Sequence, residues 1–184
     1  EPTPIAQQPT PTATPAPQPA GPQITVVPLW ESRVSTSREW TEHTYEIVEK
    51  YGTSMLDGTA DIKDFCPAYF TRTRDERVGF WVFLVSAVVK YESDFNPADR
   101  MRESGLGTDS VTGQPVYSEG LLSLSYQDAG VYPFCNEFNW KADSKLKVSD
   151  PRRTIFDPFK NLSCGIRILN SLVAKRDRIS FSSG

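Results

Sequence analysis

Histidine and cysteine are scarce in this chain of 184 residues, and their scarcity argues against several kinds of site. His43 is the single histidine, so a serine or cysteine hydrolase would have to use this one residue as its base. A zinc site would have few ligands to draw on, because there are only three cysteines besides. His43 lies in the polar stretch 42–44. We therefore expect a surface histidine, no metal and no cofactor.

Long apolar runs and basic patches are missing as well. The most apolar stretch, Val78 to Val89, is shorter than the roughly 18–20 residues that cross a bilayer, so we predict no membrane span. The net charge is −3, and no sustained basic patch is interleaved with aromatic residues. Nucleic acid is therefore not expected as a partner, and we expect a monomer.

Proline is concentrated at the start of the chain. Residues 1–22 hold eight of the fifteen prolines, and Ile5 is their only large apolar side chain. Such a segment buries too little apolar surface to offset the entropy of ordering, which predicts a disordered tether over 1–22 and one folded domain over 23–184. The chain begins at Glu1 without a methionine. We interpret this as export after removal of a signal or lipid anchor, with trimming of a cytosolic protein as the alternative.

The remaining pattern predicts a mainly α fold. Helical spacing and start signals predict helices over 36–50, from a capping box at Thr73 and Glu76 to about Asp94, over 121–129, and over 161–175. Residues 100–117 have no apolar periodicity and are predicted to form a long binding loop. No convincing alternating strand appears.

One carboxylate stands out on the longest predicted helix. Trp81, Val85, Val88 and Glu92 are four, three and four residues apart, so they share one helix face. That face is otherwise apolar, and burial would raise the pKa of Glu92 and make it a proton donor. The alternative is a glutamate that points outward in the last helical turn or pairs with an arginine.

Three sequence blocks decide between these alternatives. Glu92-Ser-Asp-Phe-Asn-Pro97 resembles the Glu-Ser-x-Phe-Asn-Pro signature of soluble lytic transglycosylases, which share a fold with goose-type lysozymes. Residues 117–124 and 157–165 are similar to two further blocks of that family, in the same order. The resemblance implies a lysozyme-like fold, cleavage of peptidoglycan glycan strands between muramic acid and glucosamine, and Glu92 as the catalytic acid. It implies substrate contacts at Ser93, Tyr117, Ser118, Glu119, Gly120 and Leu121, and we add Glu103 and Tyr126, which lie outside the matching blocks, as further candidate contacts.

The chain departs from the family pattern at two places. Ser123 replaces a glutamine of the second block, and the usual Tyr-Asn motif after the last helix is absent, for which Tyr126 is a substitute candidate. A lyase of this family acts with one glutamate, whereas a hydrolase needs a second carboxylate, for which Glu103, Asp109 and Glu119 are candidates. If these acidic residues line the cleft, they favour a de-N-acetylated glycan, which carries free amines. The alternative function is a peptidoglycan-binding module with a decayed site.

The three cysteines allow one disulfide and one free thiol. Cys135 precedes the last loop and Cys164 lies inside the last helix, so we expect these two to pair and Cys66 to be a buried free thiol. The other pairings stay open on the sequence alone. In an exported protein a disulfide is favoured over metal binding.

Overall fold

The computed structural model describes residues 26–180. The predicted tether 1–22 and both ends of the predicted domain 23–184 lie outside the described residues. The described chain is mainly helical, as predicted, with short 3-10 turns between its helices. The helices are α1 Ser37–Tyr51, α2 Thr53–Asp57, α3 Ile62–Phe65, α4 Arg74–Ser93, α5 Tyr126–Val131, α6 Trp140–Asp143 and α7 Pro158–Arg176, and the strands are β1 Arg100–Arg102 and β2 Tyr117–Glu119.

Helix α4 is the centre of the main core. The predicted capping box is present: the Thr73 hydroxyl accepts from the Glu76 N–H, and the Glu76 carboxylate accepts from the Thr73 N–H at 2.8 Å. Trp81, Val82 and Val89 are fully buried on the helix. Helix α1 packs against both α4 and α7, so three long helices enclose one apolar core.

Helix α7 begins at Pro158, three residues before its predicted start at 161. The Asp157 carboxylate accepts hydrogen bonds from the N–H groups of Phe159 and Lys160, and Pro158 occupies the first helical turn. A matching prediction for α1 is confirmed, since Trp40, Tyr45 and Val48 are buried on one face. The cap at Asp157 and the apolar spacing of α1 are local features, which explains why the sequence indicates both helices.

His43 is not the free surface histidine that we predicted. Its side chain is half-buried between α1 and α7. The Nε2 atom lies 3.0 Å from the Phe159 carbonyl oxygen and 2.7 Å from the Ser163 hydroxyl, and the ring contacts the Phe159 ring edge to face. The polar neighbours of His43 in the sequence do not indicate this contact, because α7 is more than 100 residues away along the chain.

The predicted loop 100–117 begins with one short strand and ends at the first residue of another, which corrects the expectation of no strand. β1 and β2 pair antiparallel, with Arg100 opposite Glu119 and Arg102 opposite Tyr117. Three residues are too few for an alternating pattern to stand out in the sequence. The helix predicted over 121–129 begins later, at Tyr126, because Ser125 and Asp128 form a capping box there.

The Cys135–Cys164 disulfide is present, as predicted. It joins a 3-10 turn, Pro133–Cys135, to helix α7 across a sequence separation of 29 residues. Cys66 is the free thiol among the described residues, and it is half-buried rather than fully buried. No helix within residues 26–180 is long and apolar enough to cross a membrane.

Removal of this disulfide is expected to lower the free energy of unfolding by about 3 kcal/mol, because the open chain regains loop entropy in the unfolded state. The double variant Cys135→Ser, Cys164→Ser tests this by chemical denaturation. Cys66→Ser is the matched control and should cost no more than about 1 kcal/mol. Equal destabilisation by the two changes would show that the bridge adds nothing beyond the packing of its sulfurs.

Candidate active site

Glu92 lies in the last turn of α4, and its side chain is exposed. The predicted burial is therefore wrong. Along the shared face, Val85 is 2% exposed whereas Val88 is already 38% exposed. This face of the helix leaves the core between these two residues, while Val89 and Ser93 on the neighbouring face stay buried. The exposure makes the carboxylate accessible to a large ligand.

The backbone at Glu92 is held by contacts with the turn after β2. The hydroxyl of Ser93 donates to the carbonyl oxygens of Val89 and Leu121, at 3.2 and 3.0 Å. The hydroxyl of Ser123 donates to the Glu92 carbonyl oxygen at 3.3 Å. We had expected Ser93 to contact a ligand. It is buried instead, so it fixes the helix end.

The turn after β2 is built around Gly120. Its φ of +80° is in the left-handed region, and a Cβ atom there would lie 2.7 Å from the Ile155 carbonyl oxygen. The Asn161 side chain spans the turn by accepting from the Leu122 N–H and donating to the Glu119 carbonyl oxygen. Leu121 is fully buried. The predicted ligand contacts at Gly120 and Leu121 therefore belong to the support of the site, not to its surface.

Glu103 follows β1 and is half-buried. Its N–H donates to the Val116 carbonyl oxygen at 3.0 Å, which continues the ladder of the hairpin. Its carboxylate accepts a hydrogen bond from the Ser118 hydroxyl at 2.5 Å. Residues alternate between the faces of a strand, so Glu103, Met101 and Ser118 share one face. Met101 is 58% exposed, so this face of the hairpin is open.

Glu119, the second candidate carboxylate, is on the other face and has only 3% of its surface exposed. Arg153 donates to both of its oxygens, at 2.5 and 3.3 Å, and the Arg100 Nε donates at 2.9 Å. The Arg100 guanidinium also lies over the Tyr117 ring, 3.2 Å from its centroid. Burial would lower the pKa of Arg153, but the contact with Glu119 raises it overall. Glu119 is thus a structural ion-pair residue.

Asp109, the third candidate carboxylate, is also internal. It is 2% exposed, and it accepts hydrogen bonds from the N–H groups of Val111, Thr112 and Gln127. These bonds fasten the hairpin loop to α5. Glu103 is therefore the one candidate among the three whose carboxylate is not committed to a buried network.

Tyr126 does not replace the missing tyrosine of the family motif. Its side chain is 2% exposed, and its hydroxyl donates to Asp143 at 2.8 Å while it accepts from Arg153. Burial raises the pKa of the Tyr126 phenol, and the hydrogen bond to Asp143 raises it further. The exposed aromatic side chain beside Glu92 is instead Tyr91, with 90% of its surface accessible.

Sequence reasoning missed the partners of Glu119. Arg100 and Arg153 are 53 positions apart, and no local pattern marks either residue as a partner of the same carboxylate. Asp143, which binds Tyr126 and Thr154, was missed for the same reason. Within residues 26–180 there is no group of three or more histidine, cysteine, aspartate or glutamate side chains arranged to hold a metal ion.

Solved structures of one other protein resemble this chain. Wild-type Bd0314 DslA shares 36% sequence identity with a TM-score of 0.71, over 85% of this chain and 78% of that one. Two variants of the same protein, each with one glutamate replaced by glutamine, share 35% identity with TM-scores of 0.71 and 0.70. The two replaced positions are eleven residues apart. No protein-family model matches the chain, and no curated protein sequence does.

The fold and site define a mainly helical, disulfide-bonded domain in which an exposed glutamate lies at the end of a central helix and a half-buried glutamate follows a short hairpin strand. At this level of identity and coverage, the chain belongs to the same family as Bd0314 DslA.

Proposed function

We propose that this protein is a lysozyme-like enzyme that cleaves peptidoglycan glycan strands, with Glu92 as the acid and Glu103 as the second carboxylate. The observation that carries the proposal is a spacing. Glu92 and Glu103 are 103 − 92 = 11 residues apart, the same separation as the two glutamates replaced in the DslA variants. Glu31 and Glu42 have the same spacing. Both of them form ion pairs with Arg38, far from Glu92 in the sequence, so we do not assign them to the site.

The two carboxylates divide the reaction between them. Protonated Glu92 gives its proton to the glycosidic oxygen as the bond from that oxygen to the anomeric carbon breaks. Glu103 either takes a proton from the water that adds to the anomeric carbon, or bonds to that carbon until water releases the sugar. The hydrogen bond from Ser118 holds Glu103 in place for either role. Tyr91 offers an exposed ring against which a sugar can pack.

A second carboxylate favours hydrolysis over the lyase reaction, in which the sugar's own 6-hydroxyl closes an anhydro ring. We expect wild-type protein to release muropeptides with hydrated reducing ends, and Glu103→Gln to lower the rate about hundredfold or more. Mass spectrometry of digested sacculi measures both. Asp99→Asn, a nearby half-buried carboxylate without a proposed role, is the control. Anhydro ends with an active Glu103→Gln would assign the chain to the lytic transglycosylases.

The acidity of the chain motivates a substrate preference. Asp109 and Glu119 are committed to internal bonds, so the preference would rest on the carboxylate of Glu103, which attracts the ammonium group of a glucosamine without its acetyl group. We expect de-N-acetylated sacculi to be digested faster than acetylated ones, with a difference that shrinks at high salt. Equal or slower digestion of the de-acetylated sacculi contradicts the preference but leaves the cleavage reaction intact.

We also propose export to an oxidising compartment, because disulfides persist there and are rare in the cytosol. Fractionation of the source cells, with alkylation of free thiols, tests this proposal. A reduced Cys135 and Cys164 in a cytosolic fraction would contradict it. The alternative function, a binding module with a decayed site, predicts that wild-type protein binds sacculi and releases nothing.

A further inference from the structure

A cavity of about 580 Å³ opens on the face of the hairpin that is turned away from Glu103. The hairpin contributes Arg100, Tyr117 and Glu119 to its lining. The loop between the strands contributes Asp109 and Gln114, and the segment that contains α6 adds Trp140, Asp143 and Ser144. The proposed catalytic residues do not line this cavity, so it is a separate feature of the molecule.

The acidic groups of the cavity are already occupied. Glu119 binds two arginines, and Asp109 accepts three backbone N–H groups. Asp143 accepts from the Tyr126 hydroxyl and from the N–H and hydroxyl of Thr154. These bonds satisfy the carboxylate oxygens from inside the protein.

The donors of the cavity are largely unused. Arg100 donates only its Nε–H to Glu119. Neither of its two terminal amino groups forms a hydrogen bond with any residue within 26–180. The same holds for the indole N–H of Trp140 and the side-chain amide of Gln114, again within the described chain. Stacking on Tyr117 fixes the plane of the Arg100 guanidinium. The N–H bonds of its two unbound terminal amino groups therefore point in a fixed direction.

Three lysines lie close in sequence to residues that line this cavity. Lys141, Lys145 and Lys147 are exposed and alternate in sequence with cavity-lining residues such as Ser144 and Leu146. The chain as a whole carries a net charge of −3. The unused donors of Arg100, Trp140 and Gln114 favour a ligand that is rich in hydrogen-bond acceptors, and the planar guanidinium suits an anionic one.

We propose that the cavity binds a carboxylate of the peptide that branches from the peptidoglycan glycan strand. This inference rests on the proposed function. A guanidinium fork matches a planar carboxylate, and the rings of Trp140 and Tyr117 supply walls for an extended peptide. A branch peptide reaches the cavity by passing around the edge of the two-stranded hairpin, and each extended residue adds about 3.3–3.6 Å to its length.

The test uses two soluble tripeptides with the sequence of the peptide branch of peptidoglycan. One has free carboxylates, and in the other every carboxylate is amidated. Each is titrated into the full chain while the NMR signal of the Trp140 indole N–H is followed, assigned by its loss in Trp140→Phe. We expect the free acid to shift this signal and to bind at least about tenfold more tightly than the amide. Equal affinities, no binding of either peptide, or equally tight binding of inorganic phosphate would overturn the proposal.

Variants locate the contact. Arg100→Gln should weaken binding of the free acid about tenfold, while Arg102→Gln, two residues along the same strand and outside the cavity lining, should not. Gln114→Ala breaks no internal side-chain bond and should weaken binding severalfold even if Arg100→Gln fails to fold. Equal effects of Arg100→Gln and Arg102→Gln would indicate only a general charge effect and contradict the site.

The peptide contains no glycosidic bond, so its binding is independent of catalysis. Glu92→Gln should bind the free-acid tripeptide as wild type does. Trp140→Phe should digest peptide-free glycan as wild type does. Loss of peptide binding with normal glycan cleavage would therefore reject the cavity alone, and intact peptide binding without cleavage would reject the proposed function alone.

Discussion

Glu92→Gln is expected to lower the release of muropeptides from sacculi about hundredfold to ten-thousandfold, because glutamine cannot donate a proton to the leaving oxygen. The side chain is exposed in the last turn of α4, so the substitution disturbs no packing. The melting temperature and the binding of sacculi should therefore equal those of wild type. Turbidity loss and product quantification measure the rate, and pelleting with sacculi measures the binding.

Asp94→Asn is the matched control for this change. Asp94 is an exposed carboxylate two residues away, it pairs with Lys90, and asparagine accepts its left-handed backbone conformation. The control should keep nearly full activity. Similar losses in both variants would point to charge at the helix end rather than proton donation. Full activity of Glu92→Gln would remove Glu92 from the reaction.

Glu119→Gln is expected to lower the free energy of unfolding by about 3–5 kcal/mol, because it leaves Arg153 buried without its counter-charge. For a domain of this size, the melting temperature should fall by about 6–20 °C. Thermal and urea denaturation measure both quantities. Glu42→Gln, which breaks the exposed pair with Arg38, is the control and should cost no more than about 1 kcal/mol.

The outcome for Glu119 also bears on its predicted role as a substrate contact. A stable Glu119→Gln variant with a large loss of activity would support the predicted role of Glu119 in the catalytic site. It would contradict the assignment of Glu119 as an ion-pair residue. Loss of stability with normal activity at low temperature would support that assignment. Partial loss of both is expected if the hairpin that carries Glu103 loosens when Arg100 and Arg153 lose their shared partner.

The two proposed catalytic glutamates depend on a common support. Ser93 and Ser123 join the end of α4 to the turn after β2, and Asn161 of α7 joins the same turn to the end of β2. The helix that carries Glu92 and the hairpin that carries Glu103 are therefore positioned by one buried turn. Substitution of Gly120 by any residue with a Cβ atom would strain this turn, because the space is filled by Ile155 and Asn161.

The sequence by itself determined the features that depend on neighbouring residues. The capping box at Thr73, the Asp157-Pro158 start of α7 and the buried face of α1 all follow from interactions within one or two helical turns. The Cys135–Cys164 pairing was predicted from the positions of the two residues beside the last loop and the last helix. The family blocks selected Glu92 without reference to its surroundings, and its catalytic role stays a prediction.

Only the tertiary structure decided which side chains are covered. Helical periodicity gives the direction of a side chain around its own axis, but the elements that cover that direction come from elsewhere in the chain. The exposure of Glu92, the contact of His43 with α7 and the burial of Glu119 between Arg100 and Arg153 all depend on such distant elements. The physical reason is that burial and charge pairing join residues far apart in sequence, whereas caps and helix faces join residues that are close.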